Sequence, residues 1–131
     1  MEKTIVVPTH YVYEALDITE QVIEAAKDYK EGFLFLTCQH TTAALLMGVN
    51  FPEAVGDNVR TAINMFGYAR PYLHHGKDGP NAEGHMYSFL HGADMIIPIV
   101  DGELKLGKLQ KIFFMETSGP RNRKVRMFNI K

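Results

Sequence analysis

Three histidines, far apart in the chain, carry the chemistry this sequence most openly offers. His40 opens His40-Thr41-Thr42-Ala43-Ala44, His74 lies in Pro71-Tyr72-Leu73-His74-His75, and His85 follows Asn81-Ala82-Glu83-Gly84. Each sits among small, polar or turn-forming residues. Neutral imidazole is the commonest protein metal ligand and the usual proton carrier near pH 7. Catalytic zinc sites commonly take three protein ligands and keep one open position. The spacing here is too wide for a zinc finger, so such a site requires the fold to bring the three together. The alternative is three separate rings, each hydrogen-bonded to backbone. Local sequence does not separate His74 from His75, and His10 and His91 are weaker candidates.

Other groups suit the same chemistry. The Thr41 and Thr42 hydroxyls beside an imidazole can bind phosphate or hold a water, or the two residues simply follow strand propensity. Ser118-Gly119-Pro120-Arg121-Asn122-Arg123 combines a turn with two guanidinium groups, and arginine reads phosphate and carboxylate as a fork. The same segment also reads as a solvated hairpin tip. Glu116 ends the apolar run Phe113-Phe114-Met115. A carboxylate there orients a ligand histidine, acts as a base, or pairs with an arginine. Cys38 is expected in the core.

The elements that must position these residues are legible in outline. The chain has 131 residues, 46% apolar and 22% charged, with net charge -1 and one cysteine. That is the size and composition of one globular domain, 1–131, and excludes an internal disulfide. The charge argues against a nucleic-acid binder. No apolar run approaches the ~18 residues of a membrane span and no signal-peptide core is seen, so a cytoplasmic protein is expected.

Thr4-Ile5-Val6-Val7 reads as a strand stopped by Pro8. Asp17 is placed to cap a helix carrying Ile18, Val22, Ile23 and Ala26, with Glu20 reaching back. Gly32–Cys38 and Ala43–Met47 read as strands. A second helix starts at Pro52 with Asn50 as its cap and runs through Val55, Val59, Ile63 and Phe66. Gly67 to Asp78 reads as a loop, and a third helix begins near Asn81. Met95–Val100, Glu103–Leu106, Lys111–Glu116 and Arg123–Ile130 complete the strands, with Asp101-Gly102 as a hairpin turn. The expected class is α+β: a twisted, mostly antiparallel sheet packed against about three helices.

Several separated motifs together resemble the YjbQ family, known as the secondary thiamine-phosphate synthase enzyme family. They are Asp17-Ile18-Thr19, His40-Thr41-Thr42-Ala43-Ala44-Leu45, Tyr72-Leu73-His74, and His85 eleven residues beyond His74. Ser88-Phe89-Leu90-His91-Gly92, Ile97-Pro98-Ile99 with Asp101-Gly102, and Leu106-Gly107-Lys108-Leu109-Gln110 continue the pattern. Phe113-Phe114-Met115-Glu116 and Gly119-Pro120-Arg121-Asn122-Arg123 resemble its ending. The resemblance covers almost the whole chain.

It selects His74 over His75 and implies a compact homotrimer with clefts near subunit contacts. It also implies a divalent metal ion, usually zinc, on His40, His74 and His85. The activity it implies is a transferase reaction joining a pyrimidine diphosphate to a thiazole phosphate, with release of pyrophosphate. In that reading Glu116, Thr41 and Thr42 are catalytic, and Ser118, Arg121, Arg123 and Asn81 bind the phosphorylated metabolite. The alternative is a metal- and phosphometabolite-binding trimer without turnover. The sequence departs from the family pattern at Gly48-Val49-Asn50-Phe51-Pro52-Glu53, where members carry a carboxylate after the asparagine, and at Pro80, where members often have aspartate.

Overall fold

A computed structural model of the chain describes residues 2–65 and 81–131. The expected loop from Gly67 to Asp78, with His74 and His75, lies outside the described residues.

The elements run β1 (Glu2–Pro8), β2 (Glu14–Asp17), α1 (Thr19–Ala25), β3 (Gly32–Thr37), β4 (Ala43–Gly48), α2 (Pro52–Asn64), α3 (Asn81–His91), β5 (Asp94–Val100), β6 (Glu103–Leu104), β7 (Lys111–Glu116) and β8 (Asn122–Ile130). The strands form two sheets, ordered β1-β8-β3-β5-β6 and β2-β7-β4. Every described pairing is antiparallel. The expected α+β class with antiparallel strands and three helices is therefore found, with the strands divided between two sheets.

One core joins the sheets. Alternation along the strands turns Val7, Leu34, Leu36, Ile97, Val125 and Met127 inward from the larger sheet, where they meet Leu45, Ile112 and Phe114 from the smaller one. Helix α1 adds Val22 to the same core. The other face of the smaller sheet, through Ala44 and Met115, packs against Ala62 of α2 and Tyr87 of α3. Among the described residues, no helix is long and apolar enough to cross a membrane.

Local chemistry accounts for most boundaries. The Asp17 carboxylate accepts the Thr19 N–H at 2.9 Å and so braces the start of α1, but the N-cap position falls to Ile18, which makes no side-chain cap bond, so Asp17 is not the expected cap. Its other oxygen accepts from the Asn50 amide at 2.8 Å, so Asn50 braces α1 and does not cap α2. Helix α2 starts at Pro52 after Phe51, with no side-chain cap. Asp101 and Gly102 take φ of 52° and 79° between β5 and β6, the left-handed pair of a tight hairpin.

One element is missing from the sequence reading, and one expectation needs correcting. Glu14–Asp17 lacks the β-branched residues of a strand, yet it pairs with β7 from Glu14 opposite Glu116 to Asp17 opposite Phe113; pairing overrides propensity. Strands β7 and β8, consecutive in the chain, form no hairpin. Residues 117–121 instead carry the chain from the smaller sheet to the larger. Gly119 makes that passage possible, because a β-carbon there would stand 2.2 Å from the Tyr11 carbonyl oxygen.

Gly119→Ala is therefore expected to cost about 2 kcal/mol or more in urea unfolding, since a fixed backbone atom blocks the methyl. Gly56→Ala is the internal control. Gly56 lies inside α2 with nothing within 4 Å of the added carbon, and the change should stabilise by about 0.5–1 kcal/mol.

Candidate functional site

The passage between the sheets is also where the chemistry-bearing residues gather. Glu116, the last residue of β7, is fully buried, and Arg123, early in β8, is only 5% exposed. The Arg123 guanidinium grips the carboxylate side-on, with Nε donating to Oε2 at 2.7 Å and Nη2 to Oε1 at 2.5 Å. The Thr9 hydroxyl, just past β1, donates to Oε2 at 2.9 Å, and the Ser118 N–H donates to Oε1 at 3.0 Å. Four donors thus occupy the carboxylate. Pairing with an arginine, one of the three roles the sequence leaves open for Glu116, is the arrangement found.

The same ties hold the turn between β3 and β4. Arg123 Nη2 donates to the Thr42 hydroxyl at 2.8 Å. The Thr42 carbonyl accepts from the Thr117 hydroxyl at 2.5 Å and from the Thr117 N–H at 3.2 Å. Thr42 is buried and Thr41 beside it is exposed. On the opposite side, the Thr9 hydroxyl accepts the Arg121 N–H at 2.9 Å, and the Thr9 N–H donates to the Arg121 carbonyl at 2.8 Å. Among the described residues, no buried side-chain nitrogen or oxygen lacks a partner.

The two arginines expected to bind phosphate therefore differ. Arg123 is buried with its Nε and Nη2 committed. Arg121 is exposed, and its guanidinium folds back on Ser118, with Nε donating to the carbonyl at 2.7 Å and Nη2 to the hydroxyl at 3.4 Å. Arg121 is the cation that meets solvent.

His40 lies beside this pair. Its Nε2 accepts the Lys124 N–H at 3.1 Å, so the neutral ring carries its proton on Nδ1. It opens onto a surface groove shared with Gln39, Lys124 and Arg126. His85 is half-buried on α3. It follows Gly84, where a β-carbon would lie 2.7 Å from the Thr117 hydroxyl, so the first turn of α3 rests on the residue after Glu116. Asn81 opens that helix.

Electrostatics follows from burial and the arginines. Burial pushes the Glu116 carboxyl upward, but the Arg123 hydrogen bonds, the Ser118 N–H and Thr9 outweigh it and hold the group below its ordinary 4.5. Burial and the positive charge of Arg123 lower His40 below 6.5. A neutral imidazole is what a metal needs, but with Nδ1 protonated the one lone pair of His40, on Nε2, already accepts from Lys124, and an ion would have to displace that bond. Among the described residues, no three His, Cys, Asp or Glu side chains are grouped to hold a metal; His74 lies outside them.

Thr9 and Thr117 escaped the sequence reading. A threonine after a strand-ending proline, or one amid Glu-Thr-Ser-Gly, carries no local signal of burial. Only the sheet crossing gives them their partners.

The family model described as UPF0047 protein YjbQ-like matches residues 3–131. The chain belongs to the YjbQ-like family. It is 33% identical to a UPF0047 protein of Archaeoglobus fulgidus over 112 residues, covering 86% of this chain and 87% of that protein. It is 31% identical to the UPF0047 protein YugU of Bacillus subtilis over 126 residues, covering 94% of each. Among solved structures, a hypothetical protein from Aeropyrum pernix K1 superposes with a TM-score of 0.92 at 30% identity, over 99% of this chain and 98% of that one. A YbjQ-like protein of unknown function from Sulfolobus solfataricus P2 gives 0.89 at 28% identity, over 97% and 94%. The YjbQ-like fold thus spans the crossing and all its ties.

Removing one partner of a buried pair strands the other charge. Glu116→Gln is expected to cost about 3–5 kcal/mol in urea unfolding. The pH dependence has a defined sign. Because the folded carboxyl titrates below its ordinary 4.5, its contribution is complete above that pH and is lost as pH falls through the folded value. His40 acts in the same direction at higher pH, since the unfolded ring takes a proton near 6.5 that the folded ring resists. Unfolding free energy should fall as pH drops from 6.5 to 5, and His40→Gln should make that slope shallower.

Proposed function

We propose that this YjbQ-family chain binds a small phosphorylated metabolite together with a divalent metal ion, zinc first, at the crossing between the two sheets. The observation that carries the reading is a solvent-facing guanidinium, Arg121, on the crossing, whose charge is felt by an imidazole held below its ordinary pKa in the neighbouring β3–β4 turn, His40. Arg121 and the Ser118 hydroxyl suit phosphate oxygens, with Thr41 as a further polar group at a neighbouring turn and Asn81 kept from the sequence reading as a phosphate-binding residue to test. His40, His74 and His85 would hold the ion, which supplies Lewis-acid stabilisation of charge growing on a leaving pyrophosphate. Arg123 acts from behind, fixing Thr42 and Glu116 so that the turns on either side keep their places.

The reaction to test is the one attached to the resembled family: joining a pyrimidine diphosphate to a thiazole phosphate. One observation favours binding without turnover as the second reading. The four donors on Glu116 leave no free acceptor on the carboxylate expected to move a proton. A homotrimer is part of the proposal. What supports it is the uncovered outer face of the larger sheet, where Phe33, Ile96, Val100 and Ile130 are 45–61% exposed.

Three measurements decide. Elemental analysis should find near-stoichiometric metal in the wild type and in His75→Ala, and loss of it in His40→Ala, His74→Ala and His85→Ala. Calorimetric titration with inorganic pyrophosphate should show binding that Arg121→Ala weakens about tenfold, the loss of one charge-assisted contact. Thiamine phosphate formed from the two precursors would establish the transferase; pyrophosphate binding without product would remove this substrate pair and favour the second reading. Absence of both metal and pyrophosphate binding would overturn both.

A further inference from the structure

Behind the smaller sheet, away from the crossing, lies a cavity of about 270 Å³. It exists because α2 stands off the sheet: of its thirteen residues only Ala62 is buried. Its walls are Leu46, Phe113 and Met115 from the sheet and Val55, Ala62 and Met65 from α2. Tyr87 and His91 of α3 form one side as a stacked pair, ring centroids 4.1 Å apart and planes 13° off parallel.

Among the described residues, no Lys, Arg, Asp or Glu side chain lines the cavity. An ion entering it would lose hydration with no opposite charge to meet it. Among the described residues the polar groups are few and come from the two helices. Asn58 and Thr61, one turn apart on α2, both line the cavity, and among the described residues neither side chain has a hydrogen-bond partner. The His91 Nδ1 bonds the Tyr87 carbonyl at 3.0 Å, which leaves Nε2 as the acceptor of the neutral ring. An apolar slot with a few convergent polar groups is the usual form of a small-molecule site. A cavity of about 150 Å³ in another protein takes up benzene, so this one has room for two fused rings.

We propose that this cavity is a second ligand site, separate from the sheet crossing, for an uncharged planar ring compound of bicyclic size with one hydrogen-bonding group. The ring lies between α2 and the smaller sheet, against the Tyr87–His91 stack. Its polar group meets Asn58, Thr61 or His91. Methionine side chains at 47, 65 and 115 adapt the walls to the ring. The ligand fills the space that α2 leaves open.

The test uses the intact protein with carbon-13 methyl-labelled methionine, titrated with indole. The methyl signals of Met47, Met65 and Met115 should shift in a saturable way, while that of Met127, in the main core, stays in place. Ala62→Phe, which fills the cavity, should abolish the shifts, and Val55→Phe does the same from a half-buried position if the first variant fails to fold. Asn58→Leu with Thr61→Val should weaken binding about tenfold. Indole-3-carboxylate should bind at least tenfold more weakly than indole. The proposal is overturned if the three methyls stay in place up to the solubility of indole. It is overturned equally if a folded cavity-filling variant responds like the wild type, or if the carboxylate binds as well as indole.

Discussion

The Glu116–Arg123 ion pair is the constraint on which the rest of the molecule depends. Two sheets share one core, and the chain must pass from one to the other within residues 117–121. Apolar contact can hold the sheets together but has no direction, so it does not specify the path of the passage. The buried pair does. Each ion costs several kcal/mol to remove from water, and only good geometry with every remaining site satisfied offsets that cost. Here the bidentate grip, the Thr9 hydroxyl and the Ser118 N–H satisfy the carboxylate, while Thr42 takes what Arg123 has left. Shifting any of these strands would leave a charge unpartnered. The pair therefore selects one arrangement of β1, β4, β7 and β8, and the tight approach of Gly119 to the 9–12 segment follows from it.

The candidate site inherits this geometry. Arg121 reaches solvent because its backbone is held by Thr9, and His40 stays neutral because it is half-buried beside Arg123. The first turn of α3, which leads into His85, rests on Thr117, itself bonded to Thr42. One network thus links the β3–β4 turn, the passage between sheets and the start of α3. The cavity behind the smaller sheet is of the opposite kind, apolar and framed by a lightly packed helix. The two proposed sites are thus chemically opposite, one charged and one apolar.

Local signals made most of the elements legible. The Asp101-Gly102 turn, the run from Gly32 and the helix at Pro52 each carry their own chemistry. The fold class and the family were equally readable. The strand at Glu14–Asp17 was hidden, because four residues without β-branching become a strand only by pairing with β7. The separation of β7 from β8 was hidden as well: Ser118-Gly119-Pro120 reads as a hairpin turn, and nothing within it reports that Glu116 and Arg123 belong to different sheets. At the site, Glu116, Arg121, Arg123, Thr42 and His40 were visible by residue type. The sequence could not show that Arg123 is buried structure while Arg121 meets solvent, since burial is set by partners distant in the chain. Thr9 had no signal at all, its two partners lying more than a hundred residues away.

Native-state hydrogen exchange at four amides tests the central claim most directly. The N–H groups of Thr117, Ser118, Arg121 and Lys124 donate to Thr42, Glu116, Thr9 and His40 respectively. If the ion pair holds the passage, Thr117, Ser118 and Arg121 exchange only through global unfolding, at the same free energy as amides of the central strand β3. Lys124, bonded to a half-buried ring, follows them closely. Exchange of Ser118 and Arg121 by local opening, with β3 still protected, would contradict the account and make the passage an ordinary surface loop.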